Sequence, residues 1–132
     1  MSTLGISKSS EAIITQYLQK KGSAEHVIKG GVQYLLESWK NTVTQELENK
    51  DYIWEEYLND LDSRELLAEI VKIVDMGTAK LITTNLANLD KLFIEKTEAS
   101  KCVWGENNKI RNNWDPKVNW WYFRIPKMLA QL

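Results

Sequence analysis

One cysteine, one histidine and two prolines in 132 residues each remove a class of protein from consideration. The lone Cys102 cannot form an intramolecular disulfide, so a reducing compartment is expected. The lone His26 cannot supply the two Glu-x-x-His pairs that a di-iron site in a helical bundle requires. A Cys–His mechanism would have to join His26 to Cys102, and nothing local marks either as activated. No nucleophile elbow, phosphate-binding loop, dinucleotide fingerprint or H-E-x-x-H helix occurs. No run approaches the roughly 20 apolar residues of a membrane span. The opening MSTLGISKSS lacks a signal-peptide apolar core, so the expectation is a cytoplasmic chain with no membrane role.

What is present is ordinary in amount and uneven in placement. Apolar residues make up 43%, charged residues 27%, and the formal net charge is −1. This length and mixture suit one folded domain, residues 1–132, rather than a disordered chain. The region from Glu46 to Glu69 carries nine acids against Lys50 and Arg64, a local net of −7. From Lys101 to Lys127 six bases face Glu106 and Asp115, a local net of +4. Opposite signs in one chain either pair inside the monomer or meet a partner, which can be a second copy.

The apolar periodicity is helical for most of the chain, and the predicted class is all-α, a bundle of about five helices. Predicted spans are 10–21, 24–49, 52–60, 63–75 and 79–99, with residues 1–8 frayed. Ser9 or Ser10 caps the first helix, whose Ala12, Ile13, Tyr17 and Leu18 face inward. Val32, Leu35, Leu36, Trp39, Val43 and Leu47 form the clearest amphipathic stripe. Gly30-Gly31 interrupts that helix with a kink or a fresh start. Asp62-Ser63-Arg64-Glu65 reads as a capping box between Leu61 and Leu66, and so predicts a corner between two helices. Asp75-Met76-Gly77 reads as a glycine C-cap and Thr78 as the next N-cap. Asn85 falls on an inward face and needs a partner there.

The segment 101–132 differs in kind: it holds four of the six tryptophans and both prolines. It is expected to pack on the bundle as an irregular aromatic closure. Val118 to Ile125 reads as extended, with Trp121, Phe123 and Ile125 on one side. A small β-hairpin there, pairing with residues near Cys102–Trp104 or Ile110, is an allowed alternative.

Three readings of function follow. The first is a non-enzymatic interaction protein whose contact residues are Asp51, Tyr52, Glu55, Glu56 and Asp60. Carboxylates would steer a basic protein partner in, and the aromatic ring would anchor it. Small bacterial immunity and antitoxin-type proteins use that physics, an analogy of function alone. The second is a nucleic-acid binder using Arg111, Trp114, Trp120, Tyr122 and Arg124 for stacking and phosphate contacts. The third is a carboxylate metal-dependent enzyme. Its motifs are thin, since Glu95–Glu98 is an unmatched E-x-x-E pair and Asp60-Leu61-Asp62 lacks the glycine and glutamate of a calcium loop. No cofactor or metal is expected.

Overall fold

The computed structural model describes residues 5–130. The chain begins with α1 (Lys8–Lys20), α2 (Glu25–Thr44) and a single 3₁₀ turn at Glu46–Glu48. Then come α3 (Trp54–Val71) and α4 (Met76–Lys96), followed by the short strand β1 (Thr97–Ala99). The tail contributes α5 (Glu106–Asn112), a 3₁₀ turn at Trp120–Phe123, β2 (Arg124–Pro126) and α6 (Lys127–Ala130). The architecture is an all-α bundle with a small antiparallel strand pair, in which α2 packs against α1, α3 and α4.

The six positions of the predicted stripe, from Val32 to Leu47, are all buried, although α2 ends at Thr44 and Leu47 lies in the 3₁₀ turn that follows. Gly31 breaks α2 with φ 58 and ψ −142, a conformation that side-chain-bearing residues rarely adopt. Gly30 is required for a different reason, because a Cβ there would collide with Tyr34 Cβ. One glycine therefore permits the kink and the other makes room for it.

The predicted corner at Asp62 is absent, and α3 runs unbroken through it. The buried stripe of α3 is Tyr57, Leu61, Arg64, Leu67 and Ile70, continuous once an arginine is counted as core. Asp62 and Glu65 accept hydrogen bonds from the tail instead of capping a helix end.

Other local expectations are corrected. Ser7, not Ser9 or Ser10, caps α1 by accepting from the Ser10 N–H. Ile14 and Leu18 form the buried face of α1, while Ile13 is exposed. Asp75 caps α4 by accepting from the Thr78 N–H at 2.8 Å, so Gly77 lies in the first turn and not at a helix end. The Asp75 carboxylate also accepts from the Ser7 and Ser10 hydroxyls, tying the starts of α1 and α4 together. These donors hold it well below the usual carboxylate range. Asn85 is exposed and donates to the Leu81 carbonyl one turn back. Of residues 1–8, positions 1–4 lie outside the described residues, and Ile6 packs on the core.

The tail pairs with the end of α4. Ala99 stands opposite Arg124 and Thr97 opposite Pro126. Further bonds from Ser100 N–H to the Phe123 carbonyl and from Val103 N–H to the Tyr122 carbonyl continue the antiparallel run. Of the expected extended segment only Arg124 and Ile125 lie in β2. Trp120–Phe123 is a 3₁₀ turn, where side chains step by about 120°. Neighbouring Trp121 and Tyr122 therefore both face inward, 2% and 1% exposed, which strict alternation would forbid.

Candidate functional site

Helix α3 lends its carboxylates to two opposite tasks. Its N-terminal end follows Ile53, whose extended backbone (φ −106, ψ 159) admits the chain without a side-chain cap. Glu55 and Glu56 in the first turn complement the positive end of the helix dipole. Asp51, Glu55 and Glu56 are exposed. Among the described residues none of the three forms an ion pair. Between them Ile53 is 51% and Trp54 38% exposed, unusual for large apolar side chains in such company.

The remaining two residues of the predicted face lie underneath. Tyr52 is buried and donates its hydroxyl to Asp60 Oδ2 at 2.6 Å. Burial raises the Asp60 carboxyl above its ordinary range. Hydrogen bonds from Tyr52 and Thr42 oppose the rise, while the nearby charges of Glu46 and Glu56 add to it. Asp60 thus gathers negative charge around it and forms no ion pair with any described residue.

Further along α3 every inward acid meets a donor. Tyr122 gives its hydroxyl to Asp62 at 2.7 Å, and Asn119 Nδ2 reaches Glu65 at 2.9 Å. Tyr17 donates to Glu69 at 2.6 Å, with Lys21 Nζ 3.5 Å away. Burial raises both Asp62 and Glu65. Beneath them Arg64 forms a two-pronged pair with Asp90, at 2.9 and 2.8 Å. The Trp39 indole N–H donates to the same carboxylate at 3.0 Å. The guanidinium carbon lies 4.3 Å from the centre of the Trp121 ring. This cation–π contact offsets the lack of an acceptor for the buried Arg64 Nη1.

The acidic middle and basic tail therefore do meet inside the monomer, but through neutral tyrosine and asparagine donors. Among the described residues, no base of the tail forms an ion pair with an acid of residues 46–69.

The five residues of the tail reading have different surroundings. Tyr122 is buried and stacks on half-buried Trp114 with ring centres 4.0 Å apart. Trp120 packs against Phe93. Arg124 donates to the Thr97 hydroxyl at 2.7 Å and to the Ile94 and Thr97 carbonyls at 3.2 and 2.9 Å. It thereby satisfies the carbonyls at the C-terminus of α4. Arg111 alone of the five is exposed. Among the described residues, no group of three or more His, Cys, Asp or Glu side chains is arranged to hold a metal ion. Neither does any described helix have the length and apolarity to cross a membrane.

Sequence reasoning located the acids of α3 but missed Arg64, Asp90 and Trp39, which are scattered over 52 positions and share no motif. The one available signal was Arg64 itself, standing at a core position of the helical repeat. Comparison with known proteins found no matching family model, no matching curated protein and no matching solved structure.

Proposed function

We propose that this chain is a non-enzymatic interaction protein that engages a basic protein partner through the N-terminal end of α3. The observation that carries this reading is the exposure of Ile53 and Trp54 among three carboxylates that form no ion pair with any described residue. Unpaired acids speed the approach of a cationic surface, and desolvated apolar side chains then hold it. Tyr52 and Asp60 support this face from below, and Asp51, Glu55 and Glu56 form its contact edge. A partner cation would also relieve the repulsion that Glu46 and Glu56 exert on Asp60. Neutralisation of a basic toxin in the cytoplasm is the most concrete form of such a role.

The test is affinity capture with the intact chain and two variants, Trp54→Ala and the triple Asp51→Asn, Glu55→Gln, Glu56→Gln. The expected result is a basic protein retained by the parent at low salt, weakened in Trp54→Ala and lost in the triple variant. Recovery of the same protein by all three would overturn the reading.

A further inference from the structure

A cleft opens at the far end of α3, between the last turns of α1 and α3 and the turn at Asn112–Asn119. Its volume is about 690 Å³, within the range of small-molecule sites. We propose that it binds a neutral polyhydroxylated ligand, a mono- or disaccharide, with Trp114 as the apolar platform and Asn113, Lys72 and Glu65 as hydrogen-bonding groups.

The charge balance selects the ligand class. Lys21 and Lys72 stand against Glu65, Glu69 and Asp115, so donors and acceptors are mixed and no strong field of one sign exists. Such a cleft favours neither a polyanion nor a polycation. A sugar hydroxyl both donates and accepts, and asparagine amides can serve it in either sense. The C–H faces of a pyranose are apolar and suit an indole, here beside the exposed Val118 and Ile73.

Two features indicate that the wall is built rather than incidental. Asn119 Oδ1 accepts from the Asp115 N–H at 3.0 Å while its Nδ2 holds Glu65 Oε1. That leaves Glu65 Oε2 with no hydrogen bond to any described residue, on a helix whose neighbouring turn is already fixed in place. Preorganisation of this kind lowers the ordering cost of binding. The second feature is Asn113, which ends α5 in the left-handed region (φ 55, ψ 42). Asparagine is the usual alternative to glycine at such a helix end. The Asn113 side chain lines the cleft and makes no hydrogen bond to any described residue. Lys72 lines the same cleft and forms no ion pair with any described residue.

The test is calorimetric titration of the intact chain with maltose, cellobiose, lactose and N,N′-diacetylchitobiose, with inorganic phosphate and arginine methyl ester as charged controls. At least one disaccharide should bind saturably, with a Kd of about 1 mM or below. Trp114→Ala should abolish binding, but loss of the stack on Tyr122 could unfold the tail. Asn113→Gly keeps the left-handed backbone and Lys72→Ala alters only an exposed side chain. Each should therefore weaken binding roughly threefold to tenfold at an unchanged Tm. No heat from any sugar, saturation by phosphate or the arginine ester alone, or sugar binding indifferent to both variants would overturn the assignment.

Discussion

The two ends of α3 use the same residue type in contrary ways. Toward the N-terminus Asp51, Glu55 and Glu56 face solvent and form no ion pair with any described residue, beside exposed Ile53 and Trp54. From Asp60 to Glu69 each inward acid accepts a hydrogen bond from a tyrosine or asparagine of another element. The lesson is that a run of negative charge in a sequence is not one feature. Half of it can be the acceptor set that satisfies buried phenols, and only the remainder is free to act at a distance.

That contrast can be broken most sharply at the buried pair. Asp90→Asn leaves Arg64 without its counter-charge and should cost about 3–5 kcal/mol in urea unfolding. An effect below 1 kcal/mol would mean that α3 does not depend on this pair. Next in size, Tyr122→Phe and Tyr17→Phe each remove a donor to an inward acid and should each cost about 1.5–3 kcal/mol. Gly31→Ala should destabilise by more than about 1 kcal/mol, because alanine resists the positive φ. Thermal melts of each variant would measure it.

A pH series sharpens the comparison further. The carboxyls of Asp60, Asp62 and Glu65 titrate above their ordinary range in the folded state. Between the ordinary and the raised value the folded state binds more protons, so stability due to these groups falls as pH rises. Acidification from neutrality should therefore stabilise the chain at first. Asp75 has the opposite sign: its contribution is present above the ordinary carboxylate range and is lost as pH falls through its depressed value. The urea midpoint should pass through a maximum in mild acid, and a midpoint that falls monotonically from neutrality would contradict these assignments. The smallest effect is expected outside: Glu55→Gln and Glu56→Gln should each change stability by less than about 0.5 kcal/mol.

The helical class and the α2 stripe were legible because apolar side chains at intervals of three and four leave no other economical burial. The same rule misled at Asp62. A polar run and a good capping pattern imitate a helix end when the residue that keeps the stripe continuous is Arg64. Capping rules read local sequence, and the partners that decide here, Tyr122 and Asn119, lie more than 50 positions away. The tail failed for another reason. Alternation assumes two residues per repeat, and a 3₁₀ turn at Trp120–Phe123 replaces it with three. Of the predicted contact face, the exposed acids could be read from the sequence. The inward turn of Tyr52 and Asp60 could not, since it depends on how α3 is seated against α2.

The glycine pair in α2 constrains any attempt to straighten that helix. Replacing Gly31 alone forces a side chain into a backbone state it resists, and replacing Gly30 alone drives a methyl group into Tyr34. Neither single change leads partway to a regular helix. The kink is thus protected on both sides by unfavourable first steps, and a variant with an uninterrupted α2 would have to alter both glycines at once.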